Sequence, residues 1–164
     1  MNDEMSELRT VTRARVGRIW QLAQAGEELD GEEAQLAEVM EMHPEYYDVW
    51  QDVESLGPDA VTPDGVNPFL HVATHQVVEQ QLADNDPPQT VKTLEALMAA
   101  GYSRHDATHA IGAVVMQEVF DILKEKRPFD RERYVAALRD VAEEAKRQAR
   151  RGSRGTNGRH GQRR

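Results

Sequence analysis

The chain has 164 residues, a formal net charge of −9 and no cysteine. That length can bury a core without covalent staples. The absence of thiols excludes disulfides and thiolate zinc sites, so a bound metal would need nitrogen and oxygen donors. The start, Met1-Asn2-Asp3-Glu4, carries acids and no apolar leader, and no run approaches the roughly 20 apolar residues of a membrane span. A cytoplasmic protein with no membrane partner is the expectation.

Charge is segregated along the chain. Residues 146–164 hold eight Lys/Arg and no acid, leaving twelve bases against twenty-nine acids in residues 1–145. An acidic body disfavours nucleic acid, so only the tail could be drawn weakly to phosphate. The tail lacks apolar residues and reads as a disordered segment over 146–164, beyond a domain spanning 1–145.

The first apolar series, Leu8, Val11, Val16, Ile19, Trp20 and Leu22, predicts an amphipathic helix over about 6–25, ended by Gly26. Arg9, Arg13, Arg15 and Arg18 on it read as a solvated or salt-bridged face. Asp30 with Glu33 predicts a cap, and Leu36, Val39 and Met40 a second helix that stops at His43, because the residue before Pro44 avoids the α region. Pro44 opens a short helix whose Tyr46, Tyr47, Val49, Trp50, Val53 and Leu56 form a core or an interface up to Gly57. His43 reads as a capping group, with a fifth imidazole donor as the alternative.

Residues 57–67 are dense in proline and glycine and predict a surface loop. Asn67-Pro68 then supplies an N-cap and first residue for a fourth helix to about Ala83. After Asp86-Pro87-Pro88, Val91, Leu94, Leu97 and Met98 predict a fifth helix, closed by Gly101 in the left-handed region. Ser103 with Asp106 predicts the cap of a sixth helix over 104–126, and Asp130 caps a last helix that buries Tyr134, Leu138 and Val141. No strand alternation appears. The fold class is therefore all-α, a single-domain bundle of about six to seven helices with a disordered basic C-terminal tail.

One phrase occurs twice: His71-Val72-Ala73-Thr74-His75 and His105-Asp106-Ala107-Thr108-His109. Side chains four apart share a helix face, so each copy presents a pair of imidazoles, and Glu79 extends the first copy by one turn. Short connections make helices four and six parallel, with their N-terminal ends at one end of the bundle. His105, His109, Gly112, Ala113 and Met116 would then form an inward stripe. The expected metal-site residues are His71, His75, Glu79, His105 and His109. Four imidazoles buried unpaired would each cost on the order of 1–3 kcal/mol, which a cation would remove. His71 and Glu79 are about 12 Å apart along the axis, so one ion takes two consecutive members of that series, with Glu79 orienting a histidine or serving a second ion. One ion is favoured over two. Nitrogen-rich ligation suits zinc or iron, with nickel and manganese also compatible. The His-Glu-x-x-His arrangement of metalloproteases is absent, and Asp106 reads as a cap rather than a base.

His43-Pro44-Glu45-Tyr46, Asn67-Pro68-Phe69-Leu70-His71, His75, Glu79-Gln80-Gln81-Leu82, Pro87-Pro88, His105 and His109, in this order, resemble the bacterial domain-of-unknown-function family numbered 1841, over about residues 5–140. The resemblance implies a small helical bacterial protein and carries no activity with it. In that family a glutamate often follows the second histidine pair by four. Ala113 stands there in this chain, which favours one ion or an asymmetric pair. The functional expectation is a metal-binding helical protein, catalytic in a redox or hydrolytic sense if the ion keeps an open position, and otherwise a sensor. The alternative is a non-catalytic adaptor or homo-oligomer with structural histidines, a partner surface at Tyr46–Trp50 and the tail as an electrostatic tether.

Overall fold

A computed structural model describes the backbone of residues 2–53, 55, 65 and 67–156, with side chains among them from residue 13 to residue 151. Among the described residues there are seven α-helices and no strand, so the chain is all-α as expected. They are α1 (Asn2–Gln24), α2 (Gly31–Glu41), α3 (Tyr47–Gln51), α4 (Pro68–Asp84), α5 (Pro88–Ala99), α6 (Arg104–Glu125) and α7 (Arg131–Thr156). No helix of the described residues is long and apolar enough to cross a membrane. The chain packs as two compact units, Met1–Gln76 and Val77–Arg164.

In the first unit, Gly26 at φ 73° closes α1: its N–H reaches the Ala23 carbonyl and the Glu27 N–H reaches Leu22, each at 3.0 Å. Glycine is required there because a side chain is strained at that φ. Val16, Ile19 and Trp20 of α1 pack with Leu36, Val39 and Met40 of α2 and with Tyr46 and Trp50. A buried Trp removes about 150–250 Å² from water, roughly 4–6 kcal/mol of transfer free energy at most, so the two indoles dominate this small core. Arg15 and Arg18 pair with Glu32 and Glu33, and the Arg13 guanidinium lies 5.1 Å over the Phe69 ring. The basic face of α1 is thus paired within the unit, while the Arg9 side chain lies outside the described residues.

Two local expectations differ from the structure. Asp30 stands at the N-cap of α2, yet its carbonyl, not its side chain, accepts from Glu33 and Ala34; Gly31 at φ 52° makes the turn instead. The helix expected from Pro44 to Gly57 is a 3₁₀ turn, Pro44–Tyr46, followed by α3, which ends at Gln51. Most of the expected loop over 57–67 lies outside the described residues.

In the second unit, Val78, Leu97, Ala107, Ile111, Tyr134, Leu138 and Ala145 form the core. The face of α5 is turned from the apolar series: Thr90, Thr93, Ala96 and Leu97 are buried while Met98 is 45% exposed. Buried hydroxyls are tolerated because each finds a partner. Thr93 Oγ1 donates to the Leu138 carbonyl at 3.0 Å, and the Thr90 and Tyr134 hydroxyls both donate to Gln81 Oε1, at 2.9 and 2.8 Å. Gly101 at φ 99° ends α5 as expected. On α7, capped by Asp130 Oδ1 accepting from the Arg133 N–H at 3.0 Å, Ala142 and Ala145 are buried and Val141 is partly so. This helix runs through Thr156, into the basic segment. Ala, Arg, Lys and Gln are good helix formers, and Glu143–Lys146 and Glu144–Arg147 pair along the helix at 2.7 Å each.

The α6–α7 turn is fixed by buried charge. Glu118 accepts two N–H bonds from Arg127, at 2.8 and 2.9 Å, and one from the Asp130 backbone at 3.3 Å, while Arg133 pairs with Asp121. The Arg127 bonds, with the backbone bond and the charges of Arg127 and Arg133, hold the Glu118 carboxyl below the usual carboxylate range against the opposing effect of burial. A lowered folded value means that this stabilisation is complete above the unfolded glutamate value, about 4.3, and is lost as pH falls through the folded value. Urea denaturation at pH 7 and in this acid range should therefore show a smaller pH-dependent loss for Glu118→Gln than for the wild type. Ile111→Ala, at a fully buried position, should lower stability at neutral pH by about 2–5 kcal/mol in the same assay.

Candidate metal centre

His43 is fully buried at the end of α2. Preceding Pro44, it adopts φ −122°, ψ 69°, outside the helical region, and so ends α2. Its side chain makes no cap bond to the 3₁₀ turn that follows, but it caps the C-terminal end of α2, as expected of it. Its Nδ1 lies 2.7 Å from the Val39 carbonyl oxygen. A carbonyl only accepts, so Nδ1 carries the hydrogen and donates, and in the neutral ring Nε2 is left with the lone pair.

The first histidine phrase lies at the start of α4, which the Asn67 side chain caps by accepting from the Leu70 N–H at 3.0 Å. Within the first unit His43, His71 and His75 form one cluster, with ring centroids 4.5, 4.8 and 4.9 Å apart. His75 is buried and His71 half-buried. The His71 and His43 Nε2 atoms are 2.7 Å apart. Tyr46 stacks on His43 at 5.8 Å, 6° from parallel, and meets His71 edge-on at 5.5 Å. Tyr46 and Trp50 are buried at 5% and 1% exposure; Tyr46 walls this cluster, and Trp50 packs behind it against Tyr46 and Phe69, so neither ring is an exposed partner surface.

The second phrase lies at the start of α6. Ser103 Oγ accepts from the Asp106 N–H at 3.0 Å and donates to Asp106 Oδ2 at 2.7 Å, so Asp106 belongs to the cap. His105 and His109 stand one turn apart with ring centroids at 4.2 Å, both half-buried. Farther along the expected inward stripe, Gly112 is buried but Ala113 is exposed. Glu79 is paired with Arg104: Nη1 donates to Oε1 at 2.8 Å and Nη2 to Oε2 at 2.6 Å. Both carboxylate oxygens therefore face a guanidinium in a bidentate clamp.

His43 and His75 in the first unit, and His105 and His109 in the second, each offer ring nitrogens of the kind that can ligate a metal ion. His43 was the one hardest to find from sequence, since it lies 28 positions before His71 and outside both phrases. The one local sign was a histidine placed immediately before a helix-ending proline.

Among the described residues, seven α-helices and no strand define the class, an all-α protein with several histidines at helix starts and ends. A family model described as Domain of unknown function (DUF1841) matches residues 8–140, and the chain belongs to that family. Comparison with curated proteins and with solved structures gave no match.

Because His43 joins the Val39 carbonyl, the aromatic core and two further imidazoles, its loss should be felt in the metal-free protein. His43→Ala should cost about 1–3 kcal/mol from the carbonyl left without its donor, plus the cavity left by the ring, read by urea denaturation in the presence of a chelator.

Proposed function

We propose that this protein binds one transition-metal ion through imidazole nitrogens drawn from His43, His71, His75, His105 and His109, with Glu79 in an orienting role. The observation that carries this reading is the cluster of His43, His71 and His75, gathered among aromatic side chains with His43 fixed by its Nδ1 bond to Val39. A ligating histidine commonly donates its other N–H to a carbonyl or carboxylate, which sets the tautomer and aims the lone pair. His43 has that arrangement. The pair His105 and His109 supplies the remaining nitrogens.

Neutral nitrogen donors without sulfur favour zinc or iron, with nickel or manganese also compatible. Three protein nitrogens would leave a coordination position for a hydrolytic or redox step; four in a tetrahedral array would close the site to a structural or sensing role.

The test is elemental analysis of protein purified without a histidine tag, beside a His75→Ala/His109→Ala double variant. The wild type should carry one ion per chain and the double variant should lose it while keeping its far-ultraviolet circular dichroism. Retention of metal by a folded double variant, or none in the wild type after incubation with zinc or ferrous iron, would overturn the assignment.

A further inference from the structure

The cluster in the first unit contains one direct contact between two ring nitrogens. His43 Nε2 and His71 Nε2 are 2.7 Å apart. The separation falls in the range of a hydrogen bond. A hydrogen bond between two ring nitrogens needs one proton, and its place can be worked out. His43 Nδ1–H is committed to the Val39 carbonyl at 2.7 Å, so in the neutral ring its Nε2 accepts. The proton therefore sits on His71 Nε2.

We infer that His71 is the hydrogen-bond partner of a metal ligand and not itself a ligand: its Nε2–H occupies the His43 Nε2 lone pair that an ion would use. That lone pair takes either the His71 proton or a metal ion, but not both. Metal binding at His43 then displaces the His71 bond, while Val39 keeps the His43 ring in place. His71 is suited to yield: it lies in the first turn of α4 and is half-buried, whereas His43 is fully enclosed. Val72 beside it stays anchored in the apolar core, so the movement is confined to one side chain.

The displacement step rests on the metal-binding reading above; the direction of the hydrogen bond does not, and two measurements keep them apart. In metal-free protein, long-range proton–nitrogen-15 correlation spectra should show His43 protonated on Nδ1 and His71 on Nε2. The reverse pattern would overturn the inference whatever the protein binds. In the second measurement, cobalt(II) is titrated into the wild type, His71→Gln and His71→Ala. A glutamine amide can donate to His43 Nε2 but is a poor replacement for a ligating imidazole. His71→Gln should keep the wild-type ligand-field spectrum, stoichiometry and affinity. His71→Ala should keep the spectrum and bind about 3- to 10-fold more tightly, because a competing hydrogen bond has been removed. A changed spectrum or lost cobalt in the folded glutamine variant would make His71 a ligand and overturn the proposal. A wild type that shows the expected protonation but takes up no cobalt would overturn the displacement step together with the metal reading.

Discussion

The bond from His43 Nδ1 to the Val39 carbonyl is the constraint on which the chemistry of the first unit depends. It arises where Pro44 forces the preceding residue out of the helix, just where α2 would otherwise leave its last carbonyls unsatisfied. The histidine side chain takes one of those carbonyls in place of a backbone N–H. One interaction thereby ends a helix, buries a ring completely and decides which ring nitrogen is a donor and which an acceptor. The aromatic packing is consistent with it: Tyr46 stacks nearly parallel on the His43 ring whose plane this bond fixes.

The second unit treats polarity differently. Thr90, Thr93 and Tyr134 place hydroxyls against Gln81 and the Leu138 carbonyl, and Glu118 is enclosed by Arg127, Arg133 and the Asp130 N–H. These are interactions in which each buried donor or charge meets its complement, the condition under which burial is tolerated. In the first-unit cluster His43, His71 and His75 face one another, groups of one kind that can share protons or a cation.

Much of the fold was legible because helix ends are written locally. Gly26, Asn67, Gly101, Ser103 and Asp130 all act at the ends where propensity and capping rules put them, since a cap involves residues three or four apart. What a cap cannot show is rotation about the helix axis. Met98 looked buried by spacing, but threonines with hydroxyl partners far along the chain took the inner face of α5. The histidine phrases were legible for the same local reason as the caps, because four-residue spacing is a property of one helix. His43 was not, because its approach to His71 depends on how α2 and α4 pack within the first unit. Nor was the pairing of Glu79: the four-residue series pointed it toward His75, and Arg104, adjacent to the second phrase, was the overlooked competitor. The last helix runs into the basic segment as far as Thr156, in keeping with the helix propensity of Ala, Arg and Gln.

The Glu79–Arg104 clamp also bears on what kind of ion centre these residues could make. A carboxylate ligand contributes negative charge to a metal, lowering its attraction for a bound water's oxygen and favouring higher oxidation states. In this chain the carboxylate one turn beyond His75 is matched by a guanidinium at 2.6–2.8 Å. Its charge is met by Arg104. The donors that remain are neutral imidazoles, so a divalent ion held by them would keep close to its full charge in a low-dielectric aromatic surround, where charge interactions are strong. Such a centre acts as a Lewis acid toward a water or an anion when a position is open. With four nitrogens in place, it would hold a lower oxidation state more readily than a carboxylate-ligated site does. The net charge of the donor set, fixed by which partner Glu79 takes, thus limits the chemistry as firmly as the number of histidines.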